Sequence, residues 1–224
     1  MFQRQPLRDE VQKEIRARLD DGRLAADSRI NETHLSADLG ISRTPLREAL
    51  LQLEATGFLA SDMGRGFLVP PLDPGRFNDI QAVLARLEPL ALEAAMPYPG
   101  RRLMELNNLL GRSKLHLTGS SPAIAGPLAN LISGWAGLLV EACPNLVLRR
   151  DVLRLEALGR RYWFAAAMGG FEPAAMIASM EEMYELVRTG QSARAASHWS
   201  GHIMKFSPEA ARHLRTAAHD APTT

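Results

Sequence analysis

Apolar side chains recur along the first third of the chain with the three-to-four-residue spacing that is typical of amphipathic helices. The first of these helices is marked by Leu7, Val11, Ile15 and Leu19. A second helix is predicted over residues 32–39 and a third over residues 42–57, and glycines end both of them. The apolar face of the third helix consists of Leu46, Ala49, Leu50 and Leu53.

The start of the third helix has two interpretations. Thr44 fits the N-cap position with Pro45 as the first helical residue, because a residue before proline avoids the α region and proline suits the first turn. Ser42 is the alternative cap if the helix begins earlier.

Two short apolar runs follow the third helix, at residues 58–61 and 67–69. They flank a polar tip with two glycines at residues 62–66, and this pattern predicts a β-hairpin. Three helices followed by a hairpin form a winged helix-turn-helix. The prolines that come next, at positions 70, 71 and 74, predict a stiff hinge and a domain boundary after residue 71.

The rest of the chain has helical periodicity throughout. The predicted helices cover residues 76–95, 101–117, 123–143, 146–168, 173–189 and 192–206. A last short helix is expected after Pro208, while Pro89 is expected to kink the first of these helices and Pro127 to break the third. The predicted fold class is mainly α: a winged helix-turn-helix over residues 1–71, an all-α bundle of six or seven helices over residues 72–216, and a C-terminal tail over residues 217–224.

The amino-acid composition limits the kinds of protein that this chain can be. The 224 residues are 46% hydrophobic and 23% charged, without an apolar run long enough to span a bilayer and without the apolar core of a signal peptide. Cys143 is the single cysteine, so an internal disulfide is excluded and a cytoplasmic location is expected. The net charge is only +1, so any attraction to DNA must come from local placement of arginine rather than from a global basic field.

The third helix provides that local placement. Arg43 and Arg47 are four residues apart and therefore project from one face, opposite the apolar face that packs on the core. Guanidinium groups bind phosphates and the edge of guanine through two parallel hydrogen bonds. A recognition helix in the DNA major groove requires this division of faces.

At this point the chain resembles a known family. Residues 7–70 are similar to the DNA-binding domain of GntR-type bacterial transcription regulators. The resemblance is carried by Gly22-Arg23-Leu24, residues 35–40, the run from Ile41 to Leu50, residues 53–57 and the wing from Gly64 to Val69. The second half resembles the ligand-binding domain of the FadR-like branch, through residues 86–91 and 141–145.

The resemblance implies a homodimer that binds a palindromic double-stranded DNA operator, usually as a repressor, and that responds to a small metabolite. No membrane partner is predicted, because no apolar run is long enough to span a bilayer. Thr33 stands where relatives often have a charged residue, which implies a weaker or water-mediated contact. The DNA-binding residues implied by position are Thr33, Ser42, Arg43, Thr44, Pro45, Arg47 and the wing-tip residues Gly64, Arg65 and Gly66.

The chain departs from the FadR-like branch at the positions that bind a metal in many of its members. Many FadR-like regulators hold a divalent metal through one Asp and three His, and three of these positions are Ile132, Ala136 and Met180 here. Only His202 remains, and one imidazole cannot hold such an ion. His198 shares a helix face with His202, but this pair alone is a weak site. We therefore predict no metal and no cofactor.

Replacing the ligands in this way turns a polar cavity into an apolar one. Three outcomes fit: a more hydrophobic effector, an anion held by arginine, or a filled core without effector. The predicted effector-binding residues are Arg86, Ile132, Ala136, Met180 and His202. No nucleophile–base set is found, so no enzyme is predicted. Two alternatives to a metabolite-responsive repressor stay open: a constitutive DNA-binding dimer without effector, and an enzyme in the helical half.

Overall fold

The structure, a computed structural model, describes residues 4–62, 64–117 and 122–219. The chain divides into two compact units, Met1–Leu72 and Asp73–Thr224. The fold class predicted from the sequence is confirmed: a winged helix-turn-helix precedes an all-α bundle.

The N-terminal unit contains three helices and a hairpin. Its elements are α1 (Arg4–Asp20), α2 (Glu32–Asp38), α3 (Arg43–Ala55), β1 (Ala60–Ser61) and β2 (Phe67–Leu68). The two strands are antiparallel, with Ala60 opposite Leu68 and Ser61 opposite Phe67. Because each strand is only two residues long, the packed apolar side chains around the hairpin, rather than its hydrogen bonds, hold it in place.

The core of this unit forms where α1 packs on α3. Its fully buried side chains include Ile15, Leu46, Leu50, Leu53 and Val69. An ion pair from Arg18 of α1 to Asp38 links α1 to the end of α2, and the same guanidinium lies 2.8 Å from Glu14. The apolar face predicted for the third helix is thus the face that α3 buries.

The start of α3 decides between the two predicted caps. Ser42 is the N-cap, in an extended conformation, and the helix begins at Arg43. The interpretation of Thr44 as N-cap is wrong, since Thr44 is already helical and Pro45 is the third helical residue. Proline is tolerated there because the first four N–H groups of a helix have no acceptor within it.

The C-terminal unit contains six α-helices among its described residues. They are α4 (Pro74–Ala95), α5 (Gly100–His116), α6 (Ala125–Val140), α7 (Leu146–Met168), α8 (Ala174–Arg188) and α9 (Ser192–His219), with a short 3₁₀ turn at Pro122–Ile124. α4 packs on α9, α7 and α6, and α8 packs on α9 and α5. The largest fully buried side chains of this unit include Phe77, Trp135, Phe171 and Phe206.

The sequence predicted an effect on helix structure at three prolines of this unit, and the structure treats each differently. Pro127 is the third residue of α6, in the first turn, and therefore does not break that helix. Pro89 lies inside α4, which continues to Ala95. The separate helix expected after Pro208 is wrong, because α9 runs through Pro208 to His219 and its buried face continues on both sides of the proline. The helix also includes the first three residues of the expected tail, whose remainder lies outside the described residues.

Candidate DNA-binding surface and bundle cavity

The exposed face of α3 and the start of α2 form one shallow depression on the N-terminal unit. It is lined by Glu32, Thr33, Arg43, Thr44, Arg47, Glu48 and Leu51. Four of the predicted DNA-binding residues therefore share this surface, which we call the α3 face. Ser42 is exposed at the N-cap of α3 and Pro45 is half-buried in its first turn.

Thr33 has a structural role on this surface. The Nη2 of Arg43 donates a hydrogen bond to Thr33 Oγ1 at a distance of 2.8 Å. Thr33 is itself held in the first turn of α2, whose N-cap Asn31 accepts a hydrogen bond from the backbone of His34 at 3.0 Å. The threonine thus holds one of the two guanidinium groups of the α3 face.

Two acidic residues of the α3 face were missed by sequence reasoning. Glu32 and Glu48 line the depression beside the two arginines. Their carboxylates oppose phosphate, but a carboxylate can accept a hydrogen bond from the amino group of cytosine. Glu48 follows Arg47 directly in the sequence, so the helical phase alone could have placed it near the same face.

The wing tip is a tight turn closed by its own backbone. Asp62 N donates to Gly66 O at 2.9 Å and Arg65 N donates to Asp62 O at 2.6 Å. Gly64 and Gly66 have φ angles of +73° and +96°, which side chains rarely tolerate. Arg65 is exposed, and its guanidinium lies 3.3 Å from the Asp62 carboxylate. The tip therefore presents one arginine on a backbone that only glycines allow.

The C-terminal unit encloses a small cavity between α4, α6, α7, α8 and α9, which we call the bundle cavity. Four predicted effector-binding residues line it, namely Ile132, Ala136, Met180 and His202. Its volume is about 20 Å³, which is room for a single water molecule. The described residues therefore leave no larger open site at this position in the state observed.

Arg86 requires a correction. It is exposed on α4 and is not among the residues that line the bundle cavity. Gln81 and Glu88 of the same helix do line it. Arg86 is two residues from Glu88, about 200° around the helix, and so faces the opposite way. An anion held by Arg86 in this cavity is therefore excluded.

The polar groups of the cavity are instead two glutamates that sequence reasoning missed. Glu88 is 1% exposed and Glu156 is 7% exposed, and the two carboxyl groups interact with each other. The indole Nε1 of Trp199 donates to Glu88 Oε2 at 2.5 Å. A signal existed: Glu88 follows Leu84 by four residues, on the apolar face of the predicted helix, where a charge is out of place.

Burial sets the protonation of this pair. It raises the pKa of Glu88, while hydrogen bonds from Glu156 and Trp199 act in the opposite direction. Burial raises the pKa of Glu156 well above its usual value, and both the charge of Glu88 and the hydrogen bond with it raise that pKa further. The two carboxyl groups therefore favour holding a proton, as expected of like charges in a low dielectric.

His202 is neutral beside this pair. Burial, followed by repulsion from His198 and Lys205, lowers its pKa to about 3. Its Nδ1 lies 3.0 Å from Ser179 Oγ, and its ring stacks on that of Trp199 with centroids 4.5 Å apart. No group of three or more His, Cys, Asp or Glu in the described parts of the chain could hold a metal ion. The expectation that no metal binds stays a prediction.

Among the described residues, no helix is both long enough and apolar enough to cross a bilayer.

Two family models match the chain in the order of the two units. The model described as "Bacterial regulatory proteins, gntR family" matches residues 7–69. The model described as "FCD domain" matches residues 79–205, which is more than half of the chain. The first of these descriptions names bacterial regulatory proteins.

Curated relatives agree over the N-terminal part. The chain is 43% identical over 67 residues to the Nta operon transcriptional regulator of Aminobacter aminovorans, covering 30% of this chain and 32% of that protein. It is 30% identical over 102 residues to the HTH-type transcriptional regulator McbR of Escherichia coli, covering 45% of this chain and 46% of McbR. The matches thus span 32% and 46% of these two relatives' lengths.

Solved structures match nearly the whole chain in fold. The E. coli McbR/YncC structure has a TM-score of 0.75 at 19% identity and covers 89% of this chain and 94% of its own. A GntR-type putative transcriptional regulator from Rhodococcus has a TM-score of 0.76 at 15% identity, covering 92% and 97%. With two family models, one for each unit, and this shared fold, the chain belongs to the GntR family of bacterial regulatory proteins, in its FCD-domain branch.

Proposed function

We propose that this protein is a cytoplasmic, metabolite-responsive repressor that binds a palindromic operator as a homodimer. The observation that carries the proposal is the exposed α3 face, where Arg43 and Arg47 stand opposite the buried Leu46, Ala49, Leu50 and Leu53. The family resemblance supplies the expectation of repression and of an effector. The proposed location follows from the DNA target.

The proposed DNA contacts divide by chemistry. Arg43, Thr44 and Arg47 enter the major groove, where arginine reads guanine with two hydrogen bonds. Ser42 and Pro45 set the start of α3, and Thr33 orients Arg43. Gly64 and Gly66 let the wing backbone approach the minor groove, into which Arg65 reaches.

A homodimer is supported by exposed apolar side chains on two helices of the C-terminal unit that pack against each other. Val83 and Leu90 are seven residues apart on α4 and are 46% and 55% exposed. Leu146 and Leu153 are seven residues apart on α7 and are 64% and 38% exposed. Seven residues are two helical turns, so each pair forms a stripe along its helix that a second copy can cover.

The direct test is selection of DNA from a random pool by the full chain, followed by gel-shift titration. We expect an enriched sequence with two inverted half-sites about one helical turn apart, and two chains per DNA molecule in sedimentation equilibrium. The Arg43→Ala, Arg47→Ala double variant should enrich nothing. Enrichment of no sequence, or one chain per site, contradicts the proposal. Transcription in vitro from a promoter that overlaps the selected operator distinguishes repression from activation.

The small volume of the bundle cavity favours a second candidate, a constitutive DNA-binding dimer without effector. At about 20 Å³ the cavity is nearly filled by its own side chains. An effector then requires a more open conformation that its binding selects, whereas a constitutive dimer requires none. Operator affinity that is unchanged by every fraction of a metabolite extract would favour the constitutive dimer.

A further inference from the structure

We propose that the bundle cavity binds an effector with a protonated amine on an apolar or aromatic body, and that Glu88 and Glu156 receive the ammonium group. The inference rests on the proposed role of the C-terminal unit as a sensing domain and names the chemistry of its ligand.

The first argument for an amine is the charge of the side chains that line the cavity. Among the described residues, its ionisable side chains are Glu88, Glu156 and His202, and neither lysine nor arginine lines it. His202 is neutral because its pKa is about 3. The cavity can therefore supply negative charge but no positive charge. A carboxylate or phosphate ligand would bury its own negative charge beside two acidic groups and without a counter-ion, at a large desolvation cost.

The second argument for an amine is a buried hydrogen-bond acceptor that lacks a donor. Glu88 Oε1 is buried and accepts no hydrogen bond from any N–H or hydroxyl group of the described residues, so among them the neighbouring Glu156 carboxyl is the group whose proton can serve it. Its other oxygen is already occupied by the indole of Trp199. Once that proton leaves, the buried carboxylate oxygen has no donor, which is costly, and an ammonium group provides up to three donors together with a positive charge.

Gln81 adds a second polar group that lacks a partner among the described residues. Its side chain is 4% exposed, and its amide nitrogen has no hydrogen-bond partner among the described residues. Its amide oxygen lies 3.1 Å from Ser207 Oγ, whose single proton can also reach Ile203 O at 2.7 Å. If the amide is turned over, its nitrogen meets Ser207 and its oxygen becomes the unpaired atom instead. In either orientation, one polar atom of Gln81 is left for a ligand.

The remaining lining suits the body of such a ligand. Trp163, Trp199 and Phe206 provide aromatic rings, which attract cations and pack on apolar groups. Met176 and Met180 complete one side, and methionine is the side chain that most readily rearranges. Since the closed cavity has room for one water, the ligand displaces that volume and moves the two methionines as it enters.

Three compounds of nearly the same shape test the charge preference on the full-length wild-type protein. Benzylamine, benzyl alcohol and benzoate differ at one substituent and are titrated separately, with thermal unfolding and tryptophan fluorescence as readouts. Methylamine and butylamine extend the series to smaller bodies. We expect a saturable rise in Tm and a fluorescence change with an amine, and neither with benzoate, since a ligand that binds only the folded state raises its stability.

Variants and labelled methionine place the response in the cavity. Glu156→Gln should weaken amine binding at least about tenfold, because glutamine, unlike Glu156, cannot give up a proton and pair with the ammonium as the amine enters. Glu93→Gln, an exposed position on α4, is the matched control and should bind as the wild type does. In wild-type protein with ¹³C-labelled methionine methyl groups, the amine should shift the resonances of Met176 and Met180, which locates binding even where Glu156→Gln does not fold.

Three results overturn the inference: equal or tighter binding of benzoate or benzyl alcohol, unchanged amine affinity in a folded Glu156→Gln variant, or no saturable response to any of the three amines. Operator binding is measured on the same preparations without ligand. Intact operator binding with no amine response overturns this inference alone, whereas absence of operator binding contradicts the proposed function.

Discussion

The guanidinium of Arg43 donates to the hydroxyl of Thr33 at 2.8 Å, which ties the first residue of α3 to the first turn of α2. Both residues are on the α3 face, so the bond restricts the arginine where it is exposed to solvent. A long side chain that is already held loses less conformational entropy when it binds DNA. Thr33 therefore contributes to recognition by orienting Arg43, in addition to any contact of its own.

Thr33→Val tests this orientation. Valine keeps the shape of threonine but removes the hydroxyl, so operator affinity should fall by about 0.5–1.5 kcal/mol, the usual net contribution of one hydrogen bond. Gel-shift titration of the selected operator measures the change. Thr33→Ser retains the hydroxyl and should stay close to the wild type. Equal affinities for the valine and serine variants would show that the bond does not orient Arg43 for binding.

Arg47→Ala tests the recognition helix itself. Loss of a guanidinium that reads a base edge should cost about 1–3 kcal/mol of specific binding and relax the preference at one base position of each half-site. Arg101→Ala is the control, since Arg101 is exposed on α5, in the other unit. Binding to the operator and to each single-base variant is compared for both proteins. If the Arg47→Ala protein keeps wild-type affinity and base preference, α3 is not the recognition helix.

The recognition helix could be predicted because its information is local. Arg43 and Arg47, four residues apart, and the apolar set opposite them require only the helical repeat to be placed on two faces. The residues alone do not identify the cap, because Ser42 and Thr44 both suit an N-cap and only the backbone conformation decides between them. The family resemblance also predicted Ile132, Ala136, Met180 and His202 as effector-binding residues, and all four line one cavity in the structure.

The chemistry of that cavity could not be predicted in the same way. The pairing of Glu88 with Glu156 joins α4 to α7 across 67 intervening residues, so no local pattern contains it. Charge alone favours Arg86 as a cavity residue, whereas the helical phase turns Arg86 to solvent and Glu88 inward. The continuation of α9 through Pro208 likewise depends on tertiary packing, which outweighs the local cost of a proline inside a helix.

His202 should make the protein sensitive to acid. Its pKa in the folded state is about 3, below the ordinary value of 6.5, so between these values the unfolded chain binds more protons. The stability that the neutral imidazole provides is complete above pH 6.5 and is lost as the pH falls towards 3, at up to about 1.4 kcal/mol per pH unit.

Urea unfolding of wild-type and His202→Gln proteins between pH 7 and pH 4 measures this loss. Glutamine keeps a hydrogen-bonding group towards Ser179 but does not titrate. We expect the free energy of unfolding to fall more steeply with acid in the wild type than in the variant. His34→Gln, an exposed histidine of the N-terminal unit, is the control and should follow the wild type. Parallel curves for the wild type and His202→Gln would mean that His202 does not titrate from a buried, neutral state.

The carboxyl pair should act in the opposite direction. Burial raises the pKa of Glu88 and of Glu156 above 4.5 in the folded protein, so above that pH the folded chain holds more protons than the unfolded chain. Stability from the protonated pair is complete below pH 4.5 and is lost as the pH rises through the folded pKa values.

Glu156→Gln replaces a protonated carboxyl with an amide of similar shape. The unfolding free energy of this variant should therefore decline less than that of the wild type as the pH rises from 5 to 8. The difference is at most about 1.4 kcal/mol per pH unit for each group. Glu93→Gln serves as the exposed control on α4, and urea unfolding at several pH values gives the comparison. If Glu156→Gln and the wild type decline in parallel, the pair is ionised in the folded protein, and the cavity carries its negative charge before any ligand arrives.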